Sequence, residues 1–539
     1  MGEVMSYLSL YDLTGIQPYI FGSNILQENL GGSYLVKQAL DEWLKNIACK
    51  IGAKCQWSGG GNAMVMTASL DQAKEIATEL SRRLHQTAPG LYVTCVHQPW
   101  NGGDADFKEQ RKNLLRKLNI NKAGRWSPAV FDGSGVTAAC ISTGEPAVKW
   151  DQKDERWLGP TAKSRLDYGK KAAEDLQNIL GSNQKKYSLP NDLVWTNQLD
   201  KLGRSCGEQS ILGVIHFDGN SMGQRFKKAR SLLELCELSK RVNEAGKYTL
   251  RTALDWVTDN ITGITDTNKG GFSLSIDDKR SKPCFPVRPI VYGGDDITLV
   301  CDARIALDLA AELLRAWYRH TGDLLGEPAH ACAGIALVRV HYPFYRAYQL
   351  AEKLCKETKK YLRKKHGESD DFSALDWEFI AGAGLTSFDQ RRSSDLYCAA
   401  SDEQERLHAR PYYVIGDPPT TAPYRDWNWF RNTLVHALQQ QEETHTRFKE
   451  LASILHQGAS VTRIHLDRWR DRFGLSRAEE WDDSADGLWL PEPKNLAISD
   501  GFPNNETPYL DAIELMDRIL PLRCYTNNGK EESATGESP

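Results

Sequence analysis

Residues 290–300 read Ile-Val-Tyr-Gly-Gly-Asp-Asp-Ile-Thr-Leu-Val, two short apolar runs around a tight turn with adjacent carboxylates. The pattern predicts strands over 288–291 and 297–301 joined as a hairpin. Glycine and aspartate favour turns for local reasons, so Gly293-Gly294-Asp295-Asp296 taken alone also fits a solvated turn. Two like charges flanked by core raise a second reading, in which the turn holds something doubly positive.

Working outward, 211–217 (ILGVIHF) reads as a buried strand. Residues 231–257 carry Leu232, Leu235, Leu238, Val242, Leu250 and Leu254 at helical spacing. A helix over 303–318, a strand over 330–338 and a helix over 344–363 follow. Strand, helix, strand, strand, helix, strand is the split βαβ order of a ferredoxin-like sandwich. The same order occurs earlier and more faintly: a strand over 6–11, a helix near 32–47, strands 55–58 and 63–67 around Gly59-Gly60-Gly61-Asn62, a helix over 71–85 and a strand over 91–97. The expected fold class is therefore α+β, with two ferredoxin-like (βαββαβ) domains over 1–195 and 208–420. The first carries an insertion at about 101–160, a C-terminal helical domain spans 421–525, and the polar end, 526–539, is expected to be disordered.

Bulk composition narrows the function classes. A chain of 539 residues exceeds a single core. Lys plus Arg, 67, nearly balances Asp plus Glu, 71, so contact with nucleic acid has to come from local patches. No apolar run suits a membrane span and the N-terminus does not read as a secretion signal, so a cytoplasmic protein is expected. The twelve cysteines form no Cys-x-x-Cys pair and the histidines lack metal-like spacing, so no zinc is expected. Cys301, Cys332 and Cys355 read as reduced core thiols.

The strand 211–217 runs into Phe217-Asp218-Gly219-Asn220. In this topology the first strand lies beside the hairpin, which brings Asp218 towards Asp295 and Asp296. Asp218 by itself could equally cap the next helix. Three carboxylates at one point repel unless cations compensate, and hard divalent ions, Mg²⁺ or Mn²⁺, suit oxygen ligands. Two such ions about 4 Å apart would bridge nucleotide phosphates and activate a hydroxyl for in-line attack. Gly293 and Gly294 would let a triphosphate approach the backbone, and Lys359 or Lys360 would reach the phosphates as point charges. A solvated helix end carries such lysines just as well.

With these residues in place, the sequence resembles the large palm-containing subunit of type III CRISPR effector complexes, Csm and Cmr type, relatives of GGDEF nucleotide cyclases. The matching segments are DLTGIQPYIFGSNILQENLGGSYLV (12–36), WSGGGNAMVM (57–66), HFDGNSMG (216–223), the hairpin itself and CAGIALVRVHYPF (332–344), followed by FSALDWEFI (372–380) and ARPY (409–412). The resemblance implies two palm domains and a helical C-terminal domain. It also implies synthesis of cyclic oligoadenylate from ATP, by 3′–5′ nucleotidyl transfer with release of pyrophosphate, when target RNA binds the complex. Carried over, Asp218, Asp295 and Asp296 are the metal site and catalytic residues, and Gly293, Gly294, Lys359 and Lys360 bind nucleotide. ATP, other effector subunits, guide RNA and target RNA are the implied partners.

The departures are specific. Asn220 stands where many relatives carry a second acid. The first palm has Gly61-Asn62 where a catalytic hairpin has acids, so it is expected to be chemically silent while Gly59, Gly60 and Gly61 still permit a second ATP to approach. The first palm begins almost at Met1 and no adjacent His-Asp pair occurs, so the HD nuclease of many relatives is not expected. Two other functions stay open at the level of sequence: a stand-alone cyclic dinucleotide synthase, and a non-catalytic scaffold of an RNA-guided complex. Arg463, His465, Arg468, Arg470, Arg472 and Arg477, interleaved with Trp469 and Phe473, offer either an RNA grip or, with Asp467 and Asp471, a salt-bridged helix face.

Overall fold

The computed structural model describes residues 6–100, 107–124, 135–181, 187–189, 193–202, 211–264, 274–277, 279–367, 371–380, 388–390, 392, 405–440, 445–473 and 501–520. The expected disordered end, 526–539, and Arg477 lie outside them, as do the side chains of Arg470, Arg472 and Phe473.

Alternating apolar residues make β1 (Ser6–Thr14) a strand buried on both faces. It leads through α1 (Ile16–Phe21), α2 (Leu26–Gln38) and a wider helical turn over Ala39–Leu44 into α3 (Lys45–Lys50). The hairpin β2 (Lys54–Gly59) and β3 (Asn62–Thr67), α4 (Leu70–Thr87) and β4 (Tyr92–Trp100) complete a first unit. Its sheet order is β2-β3-β1-β4, the arrangement that the split βαβ order dictates. Next come α5 (Phe107–Ala123), a ribbon of β5 (Lys149–Asp151) and β6 (Arg156–Leu158), α6 (Pro160–Gly169) and α7 (Lys171–Leu180). Residues 160–180 thus form two helices instead of one. A Cβ on Gly169 would lie 2.2 Å from the Gln27 carbonyl, so α6 runs hard against α2 at the break.

The second unit repeats the plan with β7 (Ile211–Gly219), α8 (Met222–Lys228), α9 (Leu232–Ile264), the short β8 (Ile276–Asp277) and β9 (Lys282–Pro283), then β10 (Val287–Gly293) and β11 (Asp296–Asp302). After these come α10 (Ala303–Leu325), β12 (Ala331–Arg339), α11 (Phe344–His366), β13 (Ser373–Ile380) and β14 (Tyr412–Ile415). The sheet order is β10-β11-β7-β12-β13-β14, so two further strands extend the four-stranded plan beyond β12. Residues 427–440 are helical and are followed by α12 (His445–Leu455), α13 (Ala459–Phe473) and α14 (Tyr509–Met516). Their apolar residues, Trp427, Leu434, Leu451 and Leu515 among them, share one core cluster with α9 and α10. Trp469 is buried there too, whereas Ile464 is 51% exposed. No described helix is long and apolar enough to cross a membrane.

The two units close each other. Ile215, Phe217, Ile297 and Leu299 face α9 and α10, while Leu212, Val214, Ile290 and Val300 on the opposite face meet α11 together with Ile20, Phe21, Leu26 and Leu30 of the first unit. In return, Leu8, Leu10, Met64 and Val96 of the first sheet are covered by α5 and by Leu232 and Leu235 of α9. Each unit lends the helices after its first strand to the other.

The seat of α11 on this sheet depends on Gly334 in β12, where a Cβ would stand 2.0 Å from the Ala351 carbonyl oxygen and 2.4 Å from the Cys355 nitrogen. Gly334→Ala is expected to cost about 1–3 kcal/mol by overpacking, read as a lower thermal midpoint. An unchanged midpoint would mean that strand and helix do not touch there.

Candidate active site

The hairpin turn follows from its glycines. Gly294 has φ +63°, and with Asp295 it forms the two-residue link between β10 and β11. β11 pairs antiparallel with β7 in a register that sets Asp296 directly opposite Asp218. Such cross-strand partners on one face hold their Cβ atoms about 5 Å apart. Asp295 sits at the tip, where its carbonyl accepts from the Gly219 amide at 2.9 Å. A Cβ on Gly219 would come within 2.9 Å of the Asp295 Cβ, so only glycine lets the turn close over the end of β7.

Lys359, on α11, enters the same face. Its Nζ lies 2.6 Å from Asp218 Oδ2 and 2.8 Å from the Gly219 carbonyl. Burial opposes the ammonium charge, yet Asp218 together with Cys355 and Cys332 holds Lys359 above the ordinary lysine range. The two turn acids lack such a partner. Burial first, and then repulsion from Asp218, pushes Asp295 up to about 6. Asp296 is raised further by burial, Asp218, Asp295 and Glu352. Although 47% of the Asp296 side chain is open, its Oδ1 is sealed without a hydrogen-bond partner, 3.6 Å from His216 Nδ1. Burial pulls His216 down to about 4, so at neutral pH it presents an uncharged ring to that oxygen.

The three carboxylates are not drawn into one shell, contrary to the single point expected from sequence. Register unites Asp218 and Asp296, but Asp295 occupies the tip, and repulsion among acids with one ammonium between them keeps the oxygens apart. Among the described residues, the group of His, Cys, Asp or Glu whose ligand atoms all fall within 4.8 Å is instead His408, Asp511 and Glu514. That group is already neutralised, because Arg410 donates to Asp511 at 2.8 Å and to Glu514 at 3.0 Å.

Other expected residues divide. Gly293 and Gly294 flank the turn as anticipated, and no heavy atom stands within 4 Å of a Cβ built on Gly293. Lys360 turns away and pairs with Glu357 at 3.4 Å, 76% exposed, since one helical step rotates it off the Lys359 face. Asn220 donates to the Phe372 carbonyl at 3.0 Å, and its own amide donates to the His330 carbonyl at 2.8 Å. Its side chain thus ties the end of β7 to the residue before β13, with β12 between the two strands.

Gly59, Gly60 and Gly61 form the equivalent turn of the first unit, with φ +58° at Gly60 and +76° at Gly61. Here Asp12 stands opposite Asn62 in β1–β3 register, and Lys122 of α5 reaches Asp12 Oδ1 at 2.6 Å. The acid and lysine of the second unit therefore recur in the first. Sequence reading passed over both, although Asp12 at the end of a strand before Leu-Thr-Gly was a usable signal. It also passed over Glu352, which accepts from Gln17 of α1 at 2.7 Å and pairs with Lys356 at 2.9 Å.

Helix α9 touches both turns from one stripe. The Trp57 indole N–H donates to Ser239, whose hydroxyl lies 3.4 Å from a Cβ built on Gly59. Two helical turns on, a Cβ on Gly246 would stand 2.2 Å from the Gly294 carbonyl oxygen.

Residues 211–367 match the family model described as Cas10/Cmr2, second palm domain. This segment is similar to a Cas10/Cmr2 second palm. Crystal structures of a Csm1–Csm4 cassette share the fold around it. The complex with pppApApA superposes with TM-score 0.55 at 15% identity, that with one ATP at 0.55 and 14%, and that with cA3 at 0.54 and 14%. Each covers 96% of this chain and 70% of the other. A search of curated proteins gave no match. Within the Cas10-like palm, Asp218, Asp295, Asp296 and Lys359 occupy the open end of the sheet.

The acids give a sign for pH dependence. Asp295 is raised in the folded chain, from 3.8 to about 6, so its contribution to stability is present below pH 4 and is lost as pH rises through 6. Asp296 adds in the same direction, while His216, held neutral by burial, acts in the opposite one. Thermal midpoints in EDTA for the natural chain and for Asp295→Asn/Asp296→Asn isolate the acids. The variant's advantage is expected to grow from pH 5 to pH 7.5, and a constant difference would contradict burial of these charges.

Proposed function

We propose that this chain is the nucleotidyltransferase subunit of a type III CRISPR ribonucleoprotein and joins ATP into cyclic oligoadenylate through 3′–5′ links on target RNA binding. The observation that carries the reading is the Asp218–Asp296 cross-strand pair with Lys359 on it, lying inside the segment that matches the Cas10/Cmr2 second palm. Solved proteins of the same fold are described in complex with ATP, with pppApApA and with cA3 and cA4.

The donor set fits hard divalent cations, because it is all carboxylate and leaves Asp296 Oδ1 buried without a partner. Asp218, Asp295 and Asp296 would hold Mg²⁺ or Mn²⁺, which when bound neutralises phosphate charge and acidifies a ribose 3′-hydroxyl. The chain's own part is placement. Gly293 and Gly294 keep the turn free of side chains where a triphosphate would approach, and Gly294 supplies the positive φ that closes it. Lys359 offers an ammonium beside the acids where a phosphate oxygen would arrive. The attacking 3′-hydroxyl of one ATP and the α-phosphate of the next would meet in line: the hydroxyl gives up its proton to solvent, the new P–O bond forms, and pyrophosphate departs with the electrons of the broken P–O bond. Gly59, Gly60 and Gly61, across α9, form a second backbone-lined turn that would seat the partner nucleotide.

The test is the assembled complex with target RNA, labelled ATP and Mn²⁺. Asp295→Ala/Asp296→Ala is expected to lower product by well over about 100-fold, since loss of even an outer-shell partner costs up to that, with subunit assembly retained. Loss of assembly, or full activity, would overturn the reading. Product from the chain alone without RNA would instead show a stand-alone synthase.

Gly246→Ala probes the turn from behind. Helix propensity favours alanine by up to about 1 kcal/mol, which offsets only part of the clash, so the thermal midpoint should fall, though less than for Gly334→Ala. The added methyl must displace the Gly294 carbonyl, and a shift of roughly 1 Å at a reacting centre can cost about 100-fold. A fall in turnover of tenfold or more, at a temperature where the variant stays folded, is expected, and natural turnover would show that α9 does not set the turn.

A further inference from the structure

Against the chain's near-neutral charge, two neighbouring helices are strongly basic. Helix α5 carries Lys108, Arg111, Lys112, Arg116, Lys117 and Lys122 against the single acid Glu109. Residues 222–230, α8 and its exit, carry Arg225, Lys227, Lys228 and Arg230 with no acid. The two segments are one surface: Arg111 Nη1 donates to the Phe226 carbonyl at 2.6 Å, and Phe107, Leu114 and Leu118 share a core cluster with Phe226, Ala229 and Leu232.

Some of these cations are committed. Lys122 is on Asp12, and Arg225 donates to the Glu327 and Pro328 carbonyls. Lys108, Lys112, Arg116, Lys227, Lys228 and Arg230 remain exposed. The nearby acids do little to cancel them. Glu109 is 3.9 Å from Lys112, and Glu234 accepts from the Arg230 backbone amide at 2.7 Å. Lys108, Lys112 and Arg116 follow at i, i+4 and i+8, a cation about every 6 Å along the axis. Like charges at that spacing destabilise a helix, and an anion with evenly repeated charge removes the cost. Exposed Leu115, Ile120 and Leu233 border the surface, and no exposed aromatic ring lies on these helices to select bases by stacking.

We propose that the joined face of α5 and α8 docks the phosphate backbone of single-stranded nucleic acid without reading its sequence. This does not rest on the catalytic reading, and the acids of the turn take no part in it.

The test uses the full chain and a labelled oligonucleotide of about 25 nucleotides, as RNA and as DNA of the same sequence, titrated from about 50 to 300 mM salt. Lys112→Glu/Arg116→Glu/Lys228→Glu is expected to bind at least tenfold more weakly and to lose roughly 2 units of salt slope, about 0.7 for each phosphate contact on a single strand. The control Lys50→Glu/Lys54→Glu/Lys74→Glu changes net charge equally at exposed sites elsewhere and should leave the slope in place. Equal binding of RNA and DNA, or a preference for RNA through its 2′-hydroxyls, both support the proposal. An unchanged slope in the first variant, or equal losses in both with native thermal midpoints, would overturn it. Asp295→Ala/Asp296→Ala should bind like the natural chain, which keeps failure of this proposal apart from failure of the enzymatic one.

Discussion

Opposed carboxylates on neighbouring strands are the constraint around which this molecule is organised. The β7–β11 register puts Asp218 and Asp296 face to face, and repulsion between them costs stability that packing alone cannot return. The structure answers with one ammonium, Lys359, brought in by α11. To deliver it, α11 has to lie flat on the sheet, which requires Gly334 beneath it and removes that face from solvent. The position of the acids thus dictates where a long helix goes.

The first unit shows the same solution with the charge removed from the turn. Asp12, Lys122 and a two-glycine turn recur at equivalent places, while Asn62 and Gly61 stand where the second unit has Asp296 and Asp295. There Lys122 offsets the single strand-end acid, as Lys359 offsets Asp218 in the second unit. The two turns differ in two residues, while the four-stranded plan that frames them is common to both units.

Much of this was legible because β-strands declare themselves by alternation and turns by glycine. The hairpin at 290–300, Asp218 at a strand end and the order of elements in both units each have a local signature. What failed to show had none. Lys359 and Lys360 are equal in sequence, and only the 100° step of a helix separates the one on Asp218 from the one on Glu357. Gly246 looks like a weak spot in a helix until the carbonyl of Gly294 is placed against it. Asn220 reads as a missing ligand, yet its amide ties β7 to the entry of β13, a contact across 152 residues. The break between α6 and α7 follows from contact with α2, which no propensity contains.

The reciprocal exchange of helices explains why a unit without turn acids belongs in the site at all. Along α11, successive turns meet the first unit: Asn24 accepts from the Phe344 amide at 2.9 Å, the Phe21 ring stacks on Tyr348 at 3.7 Å, and Gln17 holds Glu352. One turn beyond Glu352 and its neighbour Lys356, the same helix presents Lys359 to Asp218. Tyr348 also packs edge-on against His216, whose ring faces Asp296. A shift of the first unit therefore reaches both acids, through the ammonium on one side and the imidazole on the other. On the far side, α9 meets both turns within two helical turns of one another, so neither can move without loading the same helix. The unit without turn acids acts as the second wall of the site, and the geometry of the acids is a property of the pair of units.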